Sequence, residues 1–106
     1  MRQISKKEAA IVEFLANAAG VSLPLNNNQA VWVVNPQMKS IRADYCPNGC
    51  QVFSLVSRQF NDSDGVPVIA TLLLTADQKF GELDFWKVDD TPLLHLPKSV
   101  TDLRKC

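Results

Sequence analysis

Apolar side chains near the start of the chain recur at a helical spacing. Ser5 and Glu8 stand three residues apart and form a capping box, in which each side chain bonds the backbone N–H of the other residue. Gly20 then supplies a left-handed stop. Between them lies the i, i+3, i+4, i+7, i+8 pattern of one buried helix face, carried by Ile11, Phe14, Leu15, Ala18 and Ala19. The pattern predicts an amphipathic helix that begins after Ser5 and ends before Gly20.

The rest of the chain alternates apolar and polar residues in short runs separated by turn-forming residues, as β-strands do. The predicted strands are residues 31–34, 38–45, 51–60, 66–75 and 82–89. A loop at residues 23–28, with one proline and three asparagines, separates them from the helix. After the last strand, residues 93–96 are expected to pack against the sheet. We therefore predict an α+β fold, with one N-terminal amphipathic helix on an antiparallel sheet of about four or five strands.

The last predicted strand divides its side chains cleanly between two faces. Leu83 and Phe85 point to one side, which we expect to be the core. The other side carries Glu82, Asp84 and Trp86. Either another segment of the chain covers that second side, or the Trp86 indole is exposed among carboxylates. Trp32, in an uninterrupted apolar strand, is instead predicted to lie in the core.

Length and composition are those of an ordinary globular domain. A chain of 106 residues fits one domain, residues 1–106, with a single core. Its apolar runs are far too short to cross a bilayer. The first residues contain Glu8 and Glu13 where a secretory signal would be continuously apolar. We therefore expect a cytoplasmic protein without a membrane partner.

The charge is balanced overall but unevenly distributed. The formal net charge is zero, yet residues 61–90 carry seven acidic and two basic side chains. Local negative charge repels phosphate backbones and attracts basic surfaces, which argues against direct nucleic-acid binding and for a basic protein partner. The alternative is a merely solvated hairpin surface, which also needs charge.

Two cysteines flank a predicted tight turn. Cys46 and Cys50 enclose Pro-Asn-Gly, so they can lie across the neck of the turn at a distance that a disulfide spans. The alternative is two free thiols, as in most cytosolic proteins. Zinc would need His95 and Cys106 in addition, at an unusual spacing. We therefore predict no metal site, and a disulfide between Cys46 and Cys50 stays an alternative to free thiols.

No catalytic signature is present in the chain. His95 is the sole histidine, and its position suggests neither a nucleophile nor an orienting group within reach. Asp89 and Asp90 are adjacent, and adjacent residues of a strand point to opposite faces. Phosphate-binding loops and the common hydrolase motifs are absent from the sequence. The sequence therefore predicts a protein that is not an enzyme and that has no cofactor.

Two segments near the end of the chain carry a family resemblance. DGVPV at residues 64–68, followed by GELDFWKVDDTPL at residues 81–93, resembles the closing hairpin of a family of small uncharacterised bacterial α+β domains. In size and style the chain is also similar to immunity proteins of contact-dependent growth inhibition and related toxin systems. This second likeness is an analogy of fold style.

Together these observations lead to one principal hypothesis. The chain is a non-catalytic immunity protein that neutralises a cognate toxin domain by binding its basic surface. The predicted partner-binding residues are Asp62, Asp64, Asp77, Glu82, Asp84, Trp86, Asp89 and Asp90. The alternatives are a small thiol or metal protein built on Cys46 and Cys50, and a homodimer or other homo-oligomer joined through an open sheet edge.

Overall fold

The computed structural model describes residues 1–25 and 28–106, so residues 26 and 27 of the predicted 23–28 loop lie outside the described part. The described elements are β1 (Arg2–Gln3), α1 (Lys6–Ala18), β2 (Ala30–Asn35), β3 (Ser40–Ala43), β4 (Val52–Asn61), β5 (Pro67–Thr75), β6 (Phe80–Lys87) and a 3-10 helix (Val100–Asp102). The predicted α+β class, with one N-terminal helix and an antiparallel sheet, is confirmed.

The described strands form one antiparallel sheet in the order β1-β2-β3-β6-β5-β4. The sheet has six strands, so the predicted number of four or five was wrong. The missed strand is β1, whose two residues are too few to show any alternation. The predicted strand at residues 82–89 is shifted, because β6 begins at Phe80 and the chain turns at Asp90, whose N–H donates to Lys87 O at 2.9 Å.

The capping box forms as predicted. The Ser5 N–H donates to Glu8 Oε1 at 2.8 Å, and the Glu8 N–H donates to Ser5 Oγ at 3.1 Å. Glu8 is also buried and accepts two bonds of 2.8 Å from the Arg2 guanidinium. Burial raises the pKa of Glu8, but the bonds from Arg2 and Ser5 outweigh burial and lower that pKa overall. The helix ends as predicted, with Gly20 at a φ of +77°.

Helix α1 packs against β4 and β5, and the core lies between them. Ile11 and Leu15 are buried as predicted, but Ala18 is exposed, and Val12 and Ala16 are buried in addition. The sheet contributes the large buried side chains, with Phe60 and Phe85 edge to face at 6.2 Å between ring centroids. The largest fully buried apolar residues are Phe60, Phe80, Phe85, Ile11, Leu15, Ile41, Leu72 and Leu83.

The segment after β6 closes the core on the helix side. Leu93 is buried, as the sequence predicted for residues 93–96, while Leu94 faces solvent. Farther on, Arg104 forms an isolated antiparallel bridge with Gln59 on the outer edge of β4, through two backbone bonds of 2.8 and 2.9 Å. Among the described residues, no helix has the length and apolar character needed to cross a bilayer.

Candidate functional site

The sheet face opposite α1 is the candidate site, and we call it the open face. The strand registers place its side chains in three cross-strand rows. The rows are Trp32–Arg42–Glu82–Leu73–Ser54, then Asp84–Thr71–Ser57, then Trp86–Ile69–Gln59. Each of these residues keeps some solvent exposure. An antiparallel sheet commonly leaves one face in water, so the informative feature is the apolar and aromatic surface among the polar groups.

Trp86 is the most exposed large side chain of the open face. Its exposure is 47%, and its cross-strand neighbour is Ile69. The indole Nε1–H donates to Asp90 Oδ1 at 3.0 Å, and Gln37 holds Asp90 in turn through a bond of 3.1 Å to its backbone O. The predicted grouping of Trp86 with Glu82 and Asp84 is confirmed. The indole is thus exposed and held in place before any partner arrives.

Asp84 lies at the centre of the open face. Its Oδ1 accepts a 3.1 Å bond from Ser40 Oγ, which in turn accepts the Phe85 N–H at 2.9 Å. Burial raises the pKa of Asp84, and the nearby Glu82 charge raises it further, against a lowering by the Ser40 bond. No lysine or arginine of the described residues pairs with Asp84. The carboxylate is therefore held in an environment that favours the arrival of a cation.

One end of the open face is closed by the turn between Cys46 and Cys50, which we call the rim loop. Arg42 pairs with Glu82 at 2.6 Å, and both side chains are largely buried. The Arg42 guanidinium also donates to Pro47 O at 3.0 Å and Cys50 O at 3.3 Å. Trp32 Nε1–H donates to Cys46 O at 3.1 Å. The prediction that Trp32 lies in the core was therefore wrong, because its side chain is only partly buried and its indole bonds the rim loop on the open face.

Two of the predicted partner-binding acids serve the fold. Lys87 is 1% exposed, and its ammonium lies 2.9 Å from Asp62 Oδ2 and 2.6 Å from Asp64 Oδ2. Burial raises the pKa of Asp62, but donors from the backbone of Leu94, Ser63 and His95 and from Lys87 lower it well below its usual range. Asp62 is buried, so it does not offer a carboxylate to a partner.

The remaining predicted acids lie at the ends of the β5–β6 hairpin. Asp77 is in the turn between the strands, where it accepts from Thr75 Oγ1 and pairs with Lys79 at 3.6 Å. Asp89 lies beyond the other end of β6 and accepts the Thr91 N–H at 3.1 Å. The structure therefore gathers Glu82, Asp84, Trp86 and Asp90 on or beside the open face. The other acids lie elsewhere.

Cys46 and Cys50 are both free cysteines. Cys46 is buried and Cys50 is partly exposed, and the two lie at the ends of one short turn. Burial, followed by the nearby Cys50 thiol, raises the pKa of Cys46 to about 11, although the nearby Arg42 lowers it. Within residues 1–25 and 28–106, no three His, Cys, Asp or Glu side chains group as a metal site would require.

One polar pair was missed by the sequence reasoning. His95 Nδ1 lies 3.0 Å from Ser63 Oγ, beside a surface cleft of about 380 Å³ that Lys98 and Asp102 also line. A catalytic histidine needs a group that orients its other ring nitrogen. No described residue bonds His95 Nε2. No sequence signal indicates this contact, because the two residues are 32 positions apart.

Comparison with known proteins identifies one protein family whose model matches this chain. A family model described as a domain of unknown function (DUF6984) matches residues 1–97. That range contains α1, all six strands, the open face and the Lys87 ion pairs. No curated protein and no solved structure matches the chain. The match is consistent with the predicted resemblance to an uncharacterised family, which concerned residues 64–96, and it covers most of the chain.

Proposed function

We propose that this chain, which belongs to the family of domains of unknown function DUF6984, is a non-catalytic module that binds a basic protein surface on its open face. The observation that carries the proposal is the exposed Trp86 indole beside the half-buried Asp84 carboxylate, which has no ion pair within the described part of the chain. Tryptophan is a favoured anchor of protein interfaces, and neighbouring charge selects the partner and its orientation.

The charges of the open face favour a cationic partner. Arg42 neutralises Glu82 within the face. Asp84 and Asp90 then remain, and neither has an ion pair among the described residues. An arginine or lysine side chain can stack on the Trp86 ring while its charge meets Asp84. Ile69 and Leu73 lie beside these groups and supply apolar contact area.

The immunity-protein hypothesis is the finer form of this proposal. A cytoplasmic immunity protein would neutralise a toxin domain by covering its basic surface, and the open face suits such a role in charge and in its exposed anchor. Of the eight predicted partner-binding residues, Asp84, Trp86 and Asp90 are the proposed contact residues. Glu82 lies beside them. Asp62 and Asp64 are engaged by Lys87 instead.

A homodimer through the outer edge of β4 is the weaker alternative. The Arg104 bridge already occupies this edge at Gln59. A β-bulge between Ser54 and Val56 interrupts it farther along. Bulges and covering segments are features that oppose edge-to-edge pairing of strands. The structure therefore favours a different protein on the face over a second copy on the edge.

The direct test uses a cationic probe with a neutral control. An acetylated and amidated hexa-arginine peptide is titrated into the protein by calorimetry at low salt, with hexa-glutamine as the control peptide. We expect binding of hexa-arginine alone, weakened by added salt because the contact is electrostatic. Trp86→Leu and Asp84→Asn should each raise Kd about three- to fivefold.

The matched control is Asp77→Asn, which removes the same charge from the far end of the hairpin. It should leave Kd unchanged. If Asp77→Asn weakens binding as much as Asp84→Asn does, the attraction is general and the open-face proposal is wrong. The immunity form has a separate test, in which the protein encoded beside this chain is purified and its complex must be lost with Trp86→Leu.

A further inference from the structure

The rim loop carries one thiol at each of its two ends, at the margin of the open face. The Cys46 N–H donates to Ala43 O and the Cys50 N–H donates to Pro47 O, both at 2.9 Å. Gly49 has a φ of +90°, a conformation that lets the chain reverse between the cysteines. The result is a buried thiol and a partly exposed thiol at the two ends of one tight turn.

We propose that Cys46 and Cys50 are an oxidation site, a dithiol that closes to an intramolecular disulfide on reaction with a small disulfide such as oxidised glutathione. The exposure of the two cysteines sets their order. Cys50 is the accessible one, so its sulfur meets the oxidant first. Cys46 is shielded from solvent, so it reacts with the neighbouring sulfur of its own chain.

The exchange balances in two steps. The Cys50 thiolate, having lost its proton to water, attacks one sulfur of oxidised glutathione, and the glutathione S–S bond breaks to release one glutathione. Cys46 then loses its proton to water and attacks the Cys50 sulfur, which releases the second glutathione. The protein loses two electrons and two protons, and one oxidised glutathione becomes two reduced glutathiones.

Formation of the disulfide would change partner binding at the open face, a consequence that rests on the proposed function. The Trp32 indole donates a hydrogen bond to Cys46 O. The Arg42 guanidinium donates to Cys50 O and also pairs with the Glu82 carboxylate. Bonding the sulfurs at about 2.05 Å draws the two ends of the rim loop together and disturbs both contacts. Arg42 is then freed from the Cys50 carbonyl, so its guanidinium can reach toward Asp84 and compete there with a cationic partner. Oxidation should weaken binding of a cationic partner.

The chemical test is made on the Cys106→Ser chain, so that the rim-loop thiols are the remaining ones. The folded protein is incubated with oxidised glutathione and digested with trypsin, which places both cysteines in the peptide of residues 43–58. We expect that peptide to lose the mass of two hydrogens and to carry no glutathione. A stable glutathione adduct on Cys50, or two thiols that stay reduced, would overturn the proposal.

A single-cysteine control tests the order of the steps. In the Cys46→Ser, Cys106→Ser chain the adduct on Cys50 cannot be resolved, so glutathione should stay bound. If instead Cys50 remains unmodified there, the assigned order is wrong. Should this variant fail to fold by circular dichroism, the Cys50→Ser, Cys106→Ser chain replaces it. Its buried Cys46 should then take up glutathione far more slowly.

The regulatory consequence is measured with the hexa-arginine probe. The oxidised protein should bind it about threefold more weakly than the reduced protein, as expected for one partly exposed charge. If the disulfide forms and the affinity is unchanged, the regulatory part is wrong while the oxidation site stands. If neither form binds the peptide, the proposed function fails, and the mass of peptide 43–58 still decides the oxidation site.

Discussion

Asp62 is a charged residue whose carboxylate is bonded within the folded chain. Its carboxylate accepts from Lys87 at 2.9 Å and from the backbone N–H groups of Leu94 at 2.8 Å and His95 at 3.1 Å. These bonds tie the turn after β4 to the segment that covers the core. The sequence shows an aspartate in a polar turn, which is typical of an exposed residue. Its ion-pair partner, Lys87, is 25 positions away in the chain.

Replacing Asp62 with asparagine should destabilise the protein strongly. The amide keeps the shape of the side chain, but its N–H₂ group then faces the N–H donors that the carboxylate accepts. Lys87 also loses the negative charge of Asp62. Breaking a buried pair costs about 3–5 kcal/mol, which corresponds to a fall in Tm of roughly 10–20 °C. Asp77→Asn, at an exposed turn, should leave Tm unchanged.

The same variant carries a pH signature. The folded-state pKa of Asp62 is depressed, so its contribution to stability is present above the unfolded pKa of about 3.9 and is lost as pH falls below that value. The difference in Tm between Asp62→Asn and the parent protein should therefore shrink with acidification below about pH 4. A difference that is constant with pH would contradict the assigned ion pair.

Asp84 should behave in the opposite sense. Its folded-state pKa is raised, so the ionised carboxylate destabilises the folded protein at neutral pH. Asp84→Asn still offers Ser40 an acceptor oxygen and removes that unfavourable charge. We expect a Tm that is higher by about 1–3 °C at pH 7, and equal to that of the parent protein in acid, where Asp84 is protonated. A lower Tm at pH 7 would show that Asp84 serves the fold rather than a partner.

At the scale of the elements, strong local signals made α1 and five of the strands predictable. The capping box and Gly20 define the ends of α1 because both act within one turn of helix. The buried face was predicted less well, since Ala18 is exposed and Ala16 is buried. Because alanine is common on both faces of a helix, its position in the sequence does not indicate which face packs on the sheet. Only the packing on β4 and β5 decides that.

The β-bulges were beyond sequence reasoning. Simple alternation places Phe53 and Val56 of β4 on opposite sides. In the structure Phe53 pairs with Leu74 and Val56 with Leu72, which share a face of β5, because Leu55 is an extra residue between them. A second irregularity opposite Leu73 and Leu74 leaves Gly81 of β6 in close contact with its neighbours.

Gly81 offers a test at this scale. A Cβ built there would lie 2.8 Å from Val52 Cγ1 and 3.1 Å from Leu73 O, and the second neighbour is backbone and cannot turn aside. Gly81→Ala should therefore lower the unfolding free energy by about 1–3 kcal/mol. Ser54→Ala, at an exposed position of β4, should change it by less than about 0.5 kcal/mol. Urea unfolding measures both, and equal effects would contradict the close packing of β6.

For the whole molecule, local pattern predicted the α+β architecture and the face that Trp86 shares with Glu82 and Asp84, but it left open whether that face is covered, and long-range contacts decided the rest. Alternation within β6 alone separates Phe85 from Trp86. No local pattern links Ser40 to Asp84, 44 positions apart, or Arg42 to Glu82, 40 positions apart. The predicted acidic surface is correspondingly smaller in the structure, because sequence counts charges without showing which of them are already paired.

The measurement closest to the central claim is a map of where a cationic ligand binds. Titration of ¹⁵N-labelled protein with the hexa-arginine peptide reports on each backbone N–H and on the two indole N–H groups. We expect the largest shift changes at the Trp86 indole and at Asp84, Ile69 and Thr71 of the open face, with α1 unaffected. Shift changes spread over all exposed acids, or centred on Asp77 at the far turn of the hairpin, would contradict this binding site.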